Sequence, residues 1–186
     1  MTPTAWIILV IAVVAIVIIG FLAFRKNRTK DLRTRFGPEY DRVVQERGSA
    51  MQAEKELAYR AKRVEKFQIR PLSQQECDRF GSDWRTTQSR FVDDPRGAVA
   101  LADRLVQAAM QARGYPVGGD FDERIADLSV DHGNVVEHYR AAHDIAIRDS
   151  RGQATTEELR TAMQHYRALF EDLLDRRVSE YQEVRR

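Results

Sequence analysis

The stretch AWIILVIAVVAIVIIGFLAF, residues 5–24, determines how the rest of the chain must be interpreted. Its twenty residues include no charged side chain. As an α-helix with a rise of about 1.5 Å per residue it would be about 30 Å long, which matches the hydrocarbon core of a bilayer. The sequence therefore predicts a transmembrane helix over residues 5–24, preceded by a short N-terminal tail at residues 1–4.

The residues on either side of this stretch distinguish a membrane span from a cleaved signal peptide. A signal peptide has basic residues before a shorter apolar run and a small-residue cleavage site after it. Here no Lys or Arg precedes the run, and a basic cluster that includes Arg25, Lys26, Arg28 and Lys30 follows it. Because basic residues beside a span stay in the cytoplasm, we expect an N-terminus outside the cell membrane and a cytoplasmic C-terminal domain. The cluster either sets this topology and attracts headgroups generally, or recognises an anionic lipid headgroup specifically.

Charge is distributed unevenly along the 186 residues. Six of the 30 Lys and Arg residues but only one of the 28 acidic residues fall within residues 1–35, which leaves 24 bases against 27 acids in the remainder. A domain with this balance lacks the basic face that nucleic acids require, so we expect no nucleic-acid partner. The single cysteine, Cys77, cannot form an intramolecular disulfide, which suits a reducing compartment.

The chain after the basic cluster has helical signals and no strand signals. No segment alternates apolar and polar residues with a period of two, whereas apolar stripes recur at helical spacing. The widest stripe, which includes Tyr166 and Phe170, lies in a last helix that we expect to run to about Val184. Residues typical of helix N-caps, several with Glu or Gln three positions later, precede the stripes: Ser49, Ser73, Asp94, Asp120, Asp131 and Thr155.

These signals predict an all-α protein with one N-terminal transmembrane helix followed by a soluble bundle of about five to seven helices. Residues 25–36 are interpreted as a basic juxtamembrane linker or a frayed continuation of the membrane helix. Residues 37–184 are interpreted as one cytoplasmic helical domain, which is long enough to bury a core of its own.

Seven short motifs carry a resemblance to a known family. They are RFGPEYDR at 35–42, QIRPL at 68–72, FVDDP at 91–95, RGYPV at 113–117, DLSVDH at 127–132, VEHYRAAH at 136–143 and TEELR at 156–160. Together they resemble an uncharacterised bacterial family of single-span membrane proteins with a helical cytoplasmic domain, some labelled as secreted. The resemblance implies a bacterial source and this architecture, and it implies no activity, cofactor or catalytic residue.

Histidines and aromatic residues are the candidates for a binding site. The four histidines are separated by six, five and 22 positions, which does not match metal sites built on helices, and we expect no metal or cofactor. On a helix capped by Asp131, the residues His132, Tyr139 and His143 would share one face. Either His143 is a hydrogen-bonded core histidine, or these four residues line a small polar pocket. Similarly, Trp84 and Phe91 either belong to the core or line a groove for a partner helix.

Elimination then favours one function class. One span without ionisable residues excludes a transport role, and no catalytic constellation is visible. We therefore expect a membrane-tethered helical interaction or scaffold module, not an enzyme, whose partners are the lipid bilayer and an unidentified protein. The alternative is a small-ligand sensor or enzyme with its polar pocket around His143.

Overall fold

The computed structural model describes residues 16, 19, 20 and 26–175. Most of the predicted span at residues 5–24, together with Arg25 and the chain after Asp175, lies outside the described residues. In the part that is described, no helix combines the length and the apolar character needed to cross a bilayer. The membrane helix therefore stays a prediction.

The described residues form helices and no strand, which confirms the all-α, helical-bundle prediction. Residues 26–36 are helical and are called α1 here. The following helices are α2 (Pro38–Arg47), α3 (Ala50–Val64), α4 (Gln74–Arg90), α5 (Pro95–Arg113), α6 (Phe121–His132), α7 (Val136–Ser150) and α8 (Thr156–Leu174).

Side-chain caps fix several of the helix starts that the sequence predicts. Ser73 and Thr155 both form complete capping boxes with a glutamate three residues later, as predicted. Asp94 and Asp120 each accept a hydrogen bond from the backbone N–H three residues on, which also confirms their predicted roles. Ser49 is the N-cap residue of α3 but its side chain makes no capping hydrogen bond, so the capping box predicted there is wrong.

The boundary between α6 and α7 differs from the prediction that Asp131 caps a helix. Instead α6 continues through Asp131 to His132, and α7 begins at Val136 without a side-chain cap. The turn contains Gly133, where an added Cβ would lie 2.2 Å from the backbone oxygen of Phe36. Tertiary packing against the end of α1 therefore sets this turn, and no local capping signal marks it.

The helices bury two hydrophobic clusters. The larger one is built from α4 to α8 and includes Phe80, Trp84, Tyr166 and Phe170. The smaller one joins α1, α2 and α3 to Val130 of α6. Of the two interpretations of residues 25–36, the structure therefore favours a helix from residue 26 onward, because Leu32 and Phe36 of α1 are buried in the smaller cluster.

A groove lies between α4 and α8 at one side of the larger hydrophobic cluster. Both α4 and α8 pack against α5. They meet each other through Phe170, whose ring stacks on Trp84 at a centroid distance of 4.8 Å and lies edge-on to Phe80 at 6.3 Å. Beyond these rings, towards the end of α4 and the start of α8, the two helices enclose a groove that is described below.

Candidate functional site

The four residues predicted to line one polar pocket fall into two groups at opposite ends of α6. Asp131 and His132 lie in the last turn of α6, whereas Tyr139 and His143 of α7 contact Phe121 at its first residue. The separation of eleven positions from Phe121 to His132 corresponds to about 16 Å along a helix. The predicted shared face is wrong because His132 and Tyr139 belong to different, successive helices.

The group at the end of α6 connects three parts of the chain. Asp131 accepts a hydrogen bond from the Tyr115 hydroxyl at 2.9 Å and lies 3.7 Å from the guanidinium of Arg35. His132 is buried, and its Nδ1 contacts the carboxylate of Asp172 in α8. Burial and the nearby negative charge of Asp131 raise the pKa of Tyr115, so its hydroxyl stays protonated and continues to donate. The arrangement positions helix ends and does not open to solvent at His132.

The group around His143 is larger than the sequence predicts. The His143 ring is half-buried and stacks on Phe121 at a centroid distance of 3.6 Å. Neither of its nitrogens has a hydrogen-bond partner in the described part of the chain, so ring stacking replaces the predicted hydrogen bond. Tyr139 packs against both Phe121 and Tyr166, with ring centroids 5.0 Å and 6.1 Å apart.

Two charged side chains complete this group, which we call the tyrosine cluster: Asp103, Arg124, Tyr139, His143 and Tyr166. Both tyrosines are fully buried, and within residues 26–175 neither hydroxyl has a hydrogen-bond partner of normal geometry. Burial raises the pKa of Tyr139 to about 12, and the charge of Asp103 acts in the same direction. The pKa of Tyr166 is raised for the same reasons, and burial lowers the pKa of His143.

These shifts keep the cluster in one protonation state near neutral pH. Both hydroxyls stay protonated and His143 stays neutral, so the cluster offers hydrogen-bond donors and acceptors rather than a nucleophile. Sequence reasoning missed Asp103, Arg124 and Tyr166. Tyr166 was assigned only to the apolar stripe of the last helix. A signal also existed for Asp103, because it stands four residues after Val99 and three before Val106 on the core-facing side of α5.

A second polar centre, also missed, surrounds Glu39 of α2. Its carboxylate has no solvent exposure and accepts hydrogen bonds from Arg42, Arg60 and Arg140 at 2.8 to 2.9 Å. Burial alone would raise the pKa of Glu39, but the hydrogen bonds and charges of Arg42 and Arg140 outweigh it and hold the pKa at about 2. Because Arg60 lies in α3 and Arg140 in α7, this ion cluster joins both halves of the domain.

The groove between α4 and α8 has a volume of about 490 Å³. Its floor is formed by Trp84 and Met163, each 7 % exposed, and at one end Val92 is 83 % exposed. Trp84 is part of the core, Phe91 packs against it, and both line the groove; that a partner helix binds there stays a prediction. The described lining residues include two arginines and no carboxylate: Trp84, Gln88, Phe91, Val92, Pro95, Thr156, Arg160, Met163, Gln164 and Arg167.

Residues 26–175 offer no candidate metal site. No group of three or more His, Cys, Asp or Glu side chains there could hold a metal ion. His138 and His165 form a pair across α7 and α8 with their Nδ1 atoms 2.9 Å apart. One ring nitrogen must donate and the other accept at that distance, so the pair requires at least one neutral imidazole.

Comparisons with protein-family models, with curated proteins and with solved structures each find no match to this chain. The candidate sites must therefore be judged by their own geometry and chemistry.

Proposed function

We propose that this protein is a membrane-tethered helical interaction module, whose cytoplasmic domain binds a partner protein in the groove between α4 and α8. The groove is the observation that carries the proposal. It presents Val92 and half-buried Phe91 beside a buried apolar floor, and an apolar-lined groove between two helices is a surface into which a partner helix can pack. By contrast, Tyr139 and Tyr166 are packed inside the core.

The tether rests on the sequence of residues 5–24 and on the charges that follow it. Ile16 and Ile19, the two apolar side chains described in that stretch, are both exposed to more than three-fifths of their surface, which suits contact with lipid. Lys26, Arg28 and Lys30 of α1 are exposed and would lie among lipid headgroups if the membrane helix ends at residue 24. We propose a single-pass protein of the cell membrane with its N-terminus outside.

Site-specific photocrosslinking in native membranes tests the interaction. A benzoylphenylalanine in place of Val92 should give a discrete protein adduct, because residue 92 lies at the open end of the groove. The same group in place of Tyr59, which is 68 % exposed on α3, is the matched control and should give none. The absence of an adduct at residue 92, or the same adduct from both positions, would overturn the proposal.

The topology has a separate test. A C-terminal alkaline phosphatase fusion should be inactive and a fluorescent-protein fusion bright, because the domain is proposed to stay in the cytoplasm. An active phosphatase, or a cleaved soluble form of the protein in the medium, would contradict the proposed orientation.

A small-ligand sensor or enzyme at the tyrosine cluster is the second candidate. It is favoured by the buried hydroxyls of Tyr139 and Tyr166, because buried polar groups normally have partners and a bound ligand or water could supply them. A thermal-shift screen of a metabolite library against the wild type and Tyr166→Phe tests it. A compound that stabilises only the wild type would favour this candidate over the interaction module.

A further inference from the structure

We infer that the groove binds an acidic, amphipathic helix of a partner protein, which packs between α4 and α8 as an additional helix of the bundle. The inference rests on the proposed function and specifies the chemistry of the partner. It is carried by the shape of the groove, by its charges, and by the composition of the chain segments outside the described residues.

The shape of the groove fits a short helix. Its α8 wall extends from Thr156 to Arg167, and its other wall extends from Trp84 of α4 to Val92, two residues past the end of that helix. At about 1.5 Å per residue these walls are about 16 Å and 12 Å long, enough for two to three turns of a helix. Both walls are helices that pack on α5, so a helix laid between them would contact side chains in the same way as a bundle neighbour.

The apolar residues of the groove lie where a bound helix would place its own apolar side chains. Met163 and Trp84 form the floor, and Phe91 and the exposed Val92 lie at one end. A helix with apolar residues at positions i, i+3 or i+4, and i+7 would place them along this line, which is the usual arrangement for a helix bound in a groove.

The charges of the groove favour an acidic partner. Arg160 and Arg167 are two helical turns apart on α8 and are both more than half exposed. Their intrahelical partners, Glu157 at 3.4 Å and Glu171 at 2.7 Å, are also exposed. Exposed pairs of this kind contribute at most about 1 kcal/mol, so an incoming carboxylate can replace them at little cost.

The lining of the groove differs in charge from the domain as a whole. The chain after residue 35 has 27 acidic residues against 24 basic ones, yet no carboxylate stands among the described lining residues. A partner with acidic residues flanking its apolar stripe would find two arginines and no lining carboxylate in the groove, which favours its binding there.

Segments of the same chain are poorer occupants than a partner helix. Residues 176–186 carry four arginines and two glutamates, and residues 5–24 carry no acidic residue. Residues 176–186 therefore have a net positive charge and residues 5–24 have no charge, so neither segment offers the net negative charge that Arg160 and Arg167 favour. Binding of a second copy of the domain in the groove would contradict the inference.

A peptide selection on the full-length protein in lipid nanodiscs tests the inference. The probe is a phage-displayed library of random 16-residue peptides, with selected peptides synthesised and measured by fluorescence anisotropy. We expect peptides with negative net charge and apolar residues at helical spacing, and circular dichroism should show helix formation on binding. The selected peptide should also suppress the adduct formed from residue 92.

A charge-reversal cycle makes the test specific. The double variant Arg160→Glu/Arg167→Glu should bind the selected peptide about 10-fold more weakly than the wild type, and it should prefer a version with Lys in place of the peptide's acidic residues. Arg104→Glu is the matched control, because Arg104 is exposed on α5 outside the groove, and it should leave affinity unchanged. Circular dichroism of each variant excludes misfolding as the cause.

The outcomes separate this inference from the proposed function. Selection of neutral, basic or non-helical peptides, an affinity unaffected by charge reversal, or self-association that blocks the groove would overturn the inference. If the adduct at residue 92 forms in cells and no acidic helix binds, the inference fails while the interaction module stands. If neither is observed, both fail.

Discussion

Glu39 requires several ion-pair partners, because a carboxylate without solvent exposure is stable only when it is fully paired. Its partners Arg42, Arg60 and Arg140 come from α2, α3 and α7. Glu39→Gln removes the negative charge and leaves these arginines without their common acceptor. We expect it to lower the free energy of unfolding by about 3–5 kcal/mol in urea titrations at pH 7. Glu46→Gln is the control, since its exposed pair with Arg42 should contribute at most about 1 kcal/mol.

The same residue predicts how stability depends on pH. The pKa of Glu39 is about 2 in the folded protein and 4.5 in the reference state, so folding favours its charged form. Its contribution is therefore fully present above about pH 4.5 and is lost as pH falls towards 2, by about 3 kcal/mol in total. Urea titrations between pH 2.5 and pH 6 should show this loss in the wild type and a flatter profile in Glu39→Gln. Equal profiles would mean that the ion cluster does not form.

His143 distinguishes the two candidate functions at the residue scale. If the protein is an interaction module, His143→Ala removes the stacking on Phe121 and should cost about 1–2 kcal/mol of stability. Partner capture through residue 92 should then fall only in proportion to the folded fraction. An unchanged denaturant titration, combined with the loss of a metabolite's stabilising effect, would instead assign His143 to a ligand site.

The N-cap residues of two helices, α3 and α8, predict different losses of stability on substitution. Thr155 and Ser49 have the same local sequence signature, but only Thr155 accepts the capping hydrogen bond, from the backbone N–H of Glu158. Thr155→Ala should therefore lower the free energy of unfolding by about 1 kcal/mol, and Ser49→Ala by no more than a few tenths. Thermal and urea melts of the two variants, measured together, check the difference. Equal losses would mean that the two helix starts are stabilised alike.

Whether an element could be predicted depended on how local its signal was. The starts of α4, α5, α6 and α8 were predictable because Ser73, Asp94, Asp120 and Thr155 act on backbone groups within three residues. The start of α7 was not, because Gly133 is placed by contact with Phe36, almost a hundred residues earlier in the chain. Sequence periodicity describes one helix at a time and carries no information about such contacts.

In the candidate sites, too, contacts between residues close in sequence could be predicted, whereas contacts between helices could not. Tyr139 and His143 lie four residues apart on one helix, so their proximity could be predicted, and Trp84 and Phe91 were predicted either to belong to the core or to line a groove. Asp103, Arg124 and Tyr166 join the tyrosine cluster from three other helices, and Arg160 reaches the groove from α8. The assignment of these residues required the tertiary structure.

At the scale of the whole molecule, the smaller hydrophobic cluster attaches α1 to the rest of the domain. Phe36 is fully buried beside Val43, and Val130 of α6 belongs to the same cluster. The ion pairs of Arg35 with Asp131 and of Arg140 with Glu39 connect the same two regions. Lys26, Arg28 and Lys30 therefore belong to a helix that packs on the domain through Leu32 and Phe36.

This attachment predicts where the independently stable domain begins. A fragment beginning at residue 26 retains Leu32 and Phe36, whereas one beginning at residue 37 loses both and exposes the side chains they cover, including Tyr40 and Val43. Burying two such side chains is worth about 3–6 kcal/mol, so the shorter fragment should be less stable by that amount in urea titrations.

Substitutions within the longer fragment separate this loss of packing from truncation itself. Phe36→Ala should reproduce about 3–5 kcal/mol of the loss, because it leaves a cavity at a fully buried position. Arg28→Ala, which changes an exposed residue of the same helix, should have little effect. If the two fragments unfold at the same urea concentration, and Phe36→Ala changes nothing, then α1 does not stabilise the domain and residues 25–36 act as the linker that their charge alone suggests.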